Sequence, residues 1–127
     1  MARGKFGPKL RDIRIRQGFT LRRFCDHAHV DPGNYSKIER GLFAPPGPEK
    51  IEKYLVALGI ETGTDEYVDL LDLAAVDRGE LPRTLLDDEA VLAELPVLFR
   101  TLRGDPVDDD QLDKLIDIMR NRHPKEA

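Results

Sequence analysis

Apolar residues recur at helical spacing in five segments within the first 76 residues of the chain. Most of these segments begin at a capping residue or a proline and end close to a glycine, which are the usual boundaries of helices. The sequence therefore predicts five short helices, which begin near residues 5, 21, 32, 48 and 65. The second and third helices are too short to bury their apolar faces alone, so we expect them to pack against the neighbouring helices.

The second and third segments, from Thr20 to Gly41, organise this half of the chain. Thr20 is a suitable N-cap, because its hydroxyl can accept a hydrogen bond from an unpaired backbone N–H. Asp31 offers a second cap, and Pro32 suits the first helical position, where its missing N–H costs nothing. Gly41 can end this helix in the left-handed conformation. Two short helices joined in this way have the layout of a helix-turn-helix, whose second helix enters the major groove of DNA.

The second half of the chain predicts a smaller helical region behind a break at 77–82, where a glycine and a proline stand among charges. We expect a short helix over 90–94, a restart forced by Pro96, and a last helix that begins at Asp108–Asp110. Basic residues close to the end of that helix suit its dipole; they are Arg120, Arg122 and His123. The predicted organisation is a first domain of 1–76, a linker of 77–82 and a second domain of 83–127.

This second region carries more apolar surface than about 45 residues can hide from water. A partner is therefore implied, and the commonest partner is a second copy of the chain. The alternative, that the tail packs back on the first domain, stays open. The predicted dimerisation residues are Leu95, Leu98, Phe99, Leu102, Leu112, Leu115, Ile116 and Met119.

Charge is distributed unevenly along the chain. Residues 1–60 contain 12 Lys or Arg and 6 Asp or Glu, whereas residues 61–127 contain 8 and 18, which gives +6 and −10 and sums to the net charge of −4. A basic half suits contacts with phosphates, because each neutralised phosphate releases counterions. The exposed side of the first helix is expected to carry Lys9, Arg11 and Arg14. We expect some of these residues to contact phosphates and the others only to keep the helix in water.

Several classes of protein are disfavoured. No run approaches the roughly twenty apolar residues of a membrane span, and the start lacks the apolar region of a signal peptide, so we expect a cytoplasmic protein. Cys25 stands alone and is interpreted as a small buried hydrophobe. His27 and His29 lie two apart, off a common helix face, which argues against a metal site. No nucleophile or phosphate-loop motif is present, so we expect neither an enzyme nor a cofactor.

The pattern T-x-x-x-F-C-x-x-A-x-V-D-x-x-x-Y-S-K-I-E-R-G within residues 20–41 resembles that of XRE (Cro/CI-like) DNA-binding domains, and the resemblance covers about residues 6–60. It implies an all-α, five-helix, lambda-repressor-like domain, here followed by a small helical dimerisation domain. The positions that contact bases in this family fall near Pro32, Gly33, Ser36 and Lys37.

This chain departs from the family pattern at several of these positions. Pro32 and Gly33 have no side-chain hydrogen-bonding group, so we predict base reading by Asn34, Ser36 and Lys37. For Asn34, contact with a phosphate alone is the alternative. Arg40 is expected to contact a phosphate or to pair with Glu39. Leu21 replaces a glutamine that usually holds a phosphate, and His29 replaces a turn glycine, so we expect a positive φ there. Arg22 or Arg23 can substitute for the glutamine. The predicted DNA-binding residues are Thr20, Arg22, Arg23, Asn34, Ser36, Lys37 and Arg40.

The segment from Leu95 to Gly104 looks like the tail of small repressors of the DdrO/ImmR type. The resemblance implies a tail that dimerises the protein and that a zinc metallopeptidase cuts, here between Leu102 and Arg103. A plain dimerisation tail remains the alternative.

The predicted function is that of a dimeric repressor on a palindromic double-stranded DNA operator. One helix-turn-helix reads only a few base pairs, so two copies are needed to single out an operator. The rival from another class is an antitoxin that neutralises a partner toxin through the tail and autoregulates its operon. A weaker rival is an interaction adaptor without a DNA role.

Overall fold

The computed structural model describes residues 4–121, which form eight α-helices and no strand. The predicted all-α class is confirmed. The chain divides after Pro82 into two compact units. The helices of the first unit are α1 (Phe6–Arg16), α2 (Leu21–Ala28), α3 (Pro32–Glu39), α4 (Pro48–Ala57) and α5 (Asp65–Asp77); those of the second are α6 (Arg83–Leu86), α7 (Glu89–Arg103) and α8 (Asp109–Asn121).

The five helices of the first unit surround one apolar core. Its centre is a run of aromatic contacts between three helices, since the ring of Tyr35 in α3 lies 4.9 Å from that of Phe24 and 5.3 Å from that of Tyr54, centroid to centroid. Cys25 is 1% exposed, so its predicted burial is confirmed, and this burial raises the pKa of its thiol. The core residues are Phe6, Leu10, Ile13, Phe24, Cys25, Ala28, Tyr35, Ile38, Ile51, Tyr54, Leu55, Leu58, Ile60, Tyr67, Leu70 and Ala74.

The turn between α2 and α3 forms as the sequence predicts. The Thr20 hydroxyl accepts a hydrogen bond from the backbone N–H of Arg23 at 3.2 Å, and the Asp31 carboxylate accepts one from Asn34 at 2.9 Å. His29 has a φ of 59°, so the expected left-handed residue is present. These caps fix where α3 begins, and therefore which of its residues face outwards.

The end of α5 is tied to the start of α1. One carboxylate oxygen of Asp77 accepts hydrogen bonds from the backbone N–H groups of Lys5 and Phe6, at 2.8 and 2.7 Å. The next residue, Arg78, donates to the backbone carbonyl of Pro46 at 2.6 Å. The predicted linker of 77–82 therefore begins with two residues that make contacts within the first unit.

In the second unit, α7 runs without interruption through Pro96. The predicted restart at this proline is wrong. An internal proline removes one backbone hydrogen bond and costs about 3 kcal/mol, but its neighbours Leu95 and Val97 are both buried and offset part of that cost. The helix ends at Gly104 with a φ of 82°, as the predicted break indicates.

The last helix begins in a reciprocal cap. The Asp108 carboxylate accepts from the N–H of Gln111 at 2.8 Å, and the Gln111 side chain accepts from the N–H of Asp108 at 3.2 Å. The predicted start of α8 is confirmed, whereas Arg122 and His123 lie outside the described residues. None of the helices among residues 4–121 is long and apolar enough to cross a membrane.

Candidate nucleic-acid interface

One face of α3 is polar and exposed, whereas the opposite face is buried. Tyr35, Ile38 and Glu39 point into the first unit. Ser36 is half-buried. The exposed residues are Pro32, Gly33, Asn34, Lys37 and Arg40. The structure therefore brings Asn34, Lys37 and Arg40 together on one accessible surface, with Ser36 at its border.

The start of α2 adds positive charge to the unit. Arg22 and Arg23 are both exposed in the first turn of this helix, and Thr20 precedes them. The N-terminal end of a helix carries a partial positive charge, which favours phosphates there. The Thr20 hydroxyl accepts the capping hydrogen bond of Arg23 and keeps its own proton available for donation.

Arg14 does not face solvent, so its predicted place on the exposed side of the first helix is wrong. Its Nε and Nη2 atoms donate to the two carboxylate oxygens of Glu39 at 2.7 and 3.0 Å, and Nη1 donates to the carbonyl of Phe19 at 2.9 Å. Both side chains of the pair are at most 9% exposed. The hydrogen bond with Glu39 raises the pKa of the Arg14 guanidinium above its already high value.

This ion pair also corrects the predicted pairing of Arg40 with Glu39. Because Glu39 is taken by Arg14, Arg40 remains exposed at the end of α3. A signal was present in the sequence, since Arg14 follows the buried Leu10 by four residues and Glu39 follows the buried Tyr35 by four. At these spacings both charges lie close to inward positions of their helices.

The pair also fixes the orientation of α3 against α1, with help from a glycine. A Cβ atom on Gly7 would lie 2.3 Å from the carbonyl oxygen of Ile38 and 2.6 Å from that of Glu39, so only glycine permits this approach. The phenol of Tyr35 is buried at the same side of α3. Burial raises its pKa, and the nearby Glu39 carboxylate raises it further.

Of the other predicted basic residues of α1, Lys9 and Arg11 are exposed. Arg16 is exposed as well, but it pairs with Glu66 of α5 at 3.1 Å. This second Arg–Glu pair lies at the surface, where it is screened by water, unlike the pair of Arg14.

Phe43 is a residue that sequence reasoning missed. Its ring lies under the side chain of Lys37, whose Nζ atom is 5.1 Å from the ring centroid. The signal was an aromatic residue placed two positions after the glycine that ends α3, in a segment interpreted only as a stiff loop. The predicted base reader therefore has an aromatic neighbour outside its own helix.

The predicted dimerisation residues fall into three groups. Leu95 and Leu115 are 8% and 6% exposed among the described residues, so they pack within the second unit and leave little surface for a second copy. Leu98 and Leu112 are half-buried. The exposed members are Phe99, Leu102, Ile116 and Met119, of which Leu102 and Met119 are 75% and 65% exposed.

The second unit also contains an apolar groove of about 310 Å³. Side chains from α6, α7 and α8 line it, including Leu85, Leu98, Ile118 and Met119. The predicted cleavage position, Leu102–Arg103, lies in the last turn of α7, with both side chains exposed. Arg103 pairs with Asp105 at 3.1 Å.

The fold and the exposed face of α3 define a helix-turn-helix DNA-binding domain. Residues 5–66, just under half of the chain, match the family model of a helix-turn-helix domain. This match supports a DNA-binding regulator of the XRE-like type. No curated protein and no solved structure matches the chain. Within residues 4–121, no three His, Cys, Asp or Glu side chains are grouped as metal ligands.

Proposed function

We propose that this protein is a cytoplasmic, sequence-specific transcriptional repressor, without enzymatic activity or cofactor, that binds a palindromic operator as a homodimer. The observation that carries the proposal is the exposed polar face of α3, with Asn34, Ser36 and Lys37. Lysine can donate to guanine O6 and N7, and asparagine can pair with adenine. Arg22, Arg23 and Arg40 supply phosphate contacts that fix the position of α3 on the duplex.

Dimerisation is part of the proposal because one recognition helix carries too little information. Each base pair contributes about 1–3 kcal/mol of discrimination, so a monomer does not distinguish an operator from the rest of a genome. The exposed apolar residues of α7 and α8, Phe99, Leu102, Ile116 and Met119, provide a surface for a second copy. Joining two weak binders raises the apparent affinity by about 10²- to 10⁴-fold when both reach their half-sites.

Control of the repressor would then act on the second unit. A cut by a zinc metallopeptidase between Leu102 and Arg103 separates α8 from α7 and removes the dimer. Exposure of both side chains, next to the glycine that ends α7, supports this position. A protein of this kind represses by occupying its operator, and loss of the dimer releases it.

The apolar groove of the second unit favours an antitoxin as the second candidate. A groove of about 310 Å³ lined by Leu85, Leu98, Ile118 and Met119 offers a partner protein a place to insert apolar side chains. In this case the first unit autoregulates the operon, and the second unit neutralises the toxin. DNA binding by the first unit is common to both candidates.

The test begins with selection of binding sequences from random duplex DNA by the full-length protein. We expect enrichment of a palindrome whose half-sites lie about one helical turn apart or a multiple of it. Sedimentation is then used to measure the oligomeric state of wild type and Met119→Glu, and gel shifts measure their affinities for the selected operator. We expect the substituted protein to be monomeric and to bind at least tenfold more weakly.

Val56→Glu is the matched control, because Val56 is 61% exposed on α4 of the first unit and the same charge is added. This variant should stay dimeric and keep wild-type affinity. A wild-type monomer, or a Met119→Glu dimer with full affinity, would contradict the proposed role of the second unit. A selection that yields no preferred sequence would contradict the repressor itself.

A further inference from the structure

The side chain of Lys37 is held by a residue that lies beyond the end of its own helix. Its ammonium nitrogen is 5.1 Å from the centroid of the Phe43 ring, within the range in which a cation is attracted to the face of an aromatic ring. Phe43 is 44% exposed and is not a member of the core of the first unit. Its ring therefore serves a contact at the surface.

The backbone brings this ring to Lys37 through the cap at the end of α3. Gly41 has a φ of 77°, and its N–H donates to the carbonyl of Ile38 at 3.1 Å. The N–H groups of Leu42 and Phe43 both donate to the carbonyl of Lys37, at 2.8 and 3.2 Å. Main chain and side chain of Lys37 thus contact the same short segment.

The far side of this segment is anchored as well. Pro45 is buried, and the carbonyl of Pro46 accepts a hydrogen bond from Arg78 at 2.6 Å. The Arg78 side chain is only 13% exposed. Proline also restricts the backbone of the segment itself. The backbone of the segment that carries Phe43 is therefore held by contacts at both ends.

We infer that Phe43 is a positioning residue for base reading, whose ring holds the Lys37 ammonium at the exposed face of α3 before DNA is bound. The inference rests on the proposed function, because it requires that Lys37 contact the operator. A lysine side chain loses much rotational freedom when it is fixed in a complex. When the free protein already restricts the side chain, less of this rotational freedom remains to be lost on binding.

The expected size of the effect follows from the exposed position of the contact. A cation–π contact at an exposed site corresponds to about a two- to fivefold change in an equilibrium constant. The measured quantity is the operator preference, defined as the affinity for the selected operator divided by that for a scrambled duplex at the same salt. Phe43→Leu should lower the operator preference by this factor, while Phe43→Trp should keep it.

The decisive experiment is a double-mutant cycle of Phe43→Leu and Lys37→Met on the full-length protein. If the ring acts through the ammonium, Phe43→Leu has no further effect once Lys37 has been replaced. If Phe43→Leu lowers the operator preference by the same factor in both backgrounds, the ring itself contacts DNA and the inference is wrong. Leu42→Ala is the matched control, because Leu42 is a 54% exposed apolar neighbour and its replacement should leave the preference unchanged.

A second measurement separates this inference from the proposed function. In the free protein, the ε-methylene protons of Lys37 should be shifted upfield by the ring, and the shift should vanish in Phe43→Leu and remain in Phe43→Trp. An unshifted signal in the wild type, together with normal operator selection, overturns the inference alone. Failure of the wild type to select any sequence overturns the proposed function, and the role of Phe43 in base reading with it.

Discussion

The two units of this protein differ in how completely they bury their apolar residues. The first unit packs five helices around a continuous core with three aromatic rings at its centre. Residues 83–121 of the second unit bury only Leu95, Val97 and Leu115 among their hydrophobic side chains. They leave seven large apolar side chains exposed: Leu85, Leu86, Leu92, Phe99, Leu102, Ile116 and Met119.

The first unit therefore buries its apolar residues within its own core, whereas the second unit leaves an apolar surface exposed. In the first unit even charged groups are buried, as the Arg14–Glu39 pair shows, and its exposed face is polar at α3. In the second unit the exposed residues of α7 and α8 are apolar, a composition typical of surfaces that another molecule covers. Under the proposed function, DNA recognition by the first unit requires a polar surface, whereas association through the second unit requires an apolar one.

The largest expected effect is a loss of stability when the buried ion pair of the first unit is broken. Arg14→Met leaves the Glu39 carboxylate buried without a partner, and such a loss costs about 3–5 kcal/mol. Urea unfolding of the full-length protein, followed by circular dichroism, should show this decrease in the free energy of unfolding. The double substitution Arg14→Met and Glu39→Leu should recover most of it, because no unpaired charge then remains.

Arg16→Met provides the matched control for this prediction. Arg16 lies on the same helix and also pairs with a glutamate, but the side chains of Arg16 and Glu66 are 55% and 37% exposed. Its replacement should cost at most about 1 kcal/mol. If Arg14→Met and Arg16→Met lowered the free energy of unfolding equally, burial of the Arg14–Glu39 pair would make no difference to its effect on stability.

The next effect is expected in the second unit. Leu115 is 6% exposed on α8, and truncation of a buried leucine to alanine costs about 2–5 kcal/mol. A unit with so few buried side chains does not tolerate this loss, so Leu115→Ala should unfold α7 and α8. Amide hydrogen exchange should show lost protection after Pro82, with protection of the first unit unchanged.

Lys114→Ala tests whether this effect depends on burial. Lys114 is the exposed neighbour of Leu115 on the same helix, and its replacement should leave exchange in the second unit as in the wild type. Lost protection in the first unit of Leu115→Ala would show that the two units do not unfold independently.

The same contrast explains what could be predicted from the sequence. In the first unit, Thr20, Asp31 and Pro32 determine the helix starts through local hydrogen bonds and a fixed φ, so the helix-turn-helix was predictable. The Arg14–Glu39 pair was not predicted, because it joins residues 25 positions apart. Local spacing places both charges close to inward positions of their helices, but it does not show that the two side chains meet.

In the second unit, local rules were weaker guides. Pro96 normally ends a helix, yet burial of Leu95 and Val97 in one continuous helix prevails over that preference. Leu95 and Leu115 lie on the same apolar stripes as the exposed Phe99 and Met119, so spacing alone did not separate inward from outward residues. The inferred role of Phe43 depends on the cap at Gly41, which returns the chain towards Lys37.

The smallest expected effect is a pH-dependent change in the stability of the first unit. Asp72 on α5 is half-buried, and this burial, with the like charge of Asp69, raises its pKa above the ordinary value of 3.8. A group whose pKa is raised by folding stabilises the folded state only below its unfolded pKa, and this contribution is lost as the pH rises through the folded pKa. At pH 7 the ionised carboxylate therefore lowers the stability of the first unit.

Asp72→Asn should accordingly raise the free energy of unfolding at pH 7 by no more than about 0.5 kcal/mol. The gain should shrink as the pH falls and vanish below the unfolded pKa, where Asp72 of the wild type is protonated in both states. Urea unfolding at several pH values measures this, with Asp113→Asn on the exposed surface of α8 as the control. A gain that persists at pH 3 would show that the amide stabilises the first unit by another route than removal of a partly buried charge.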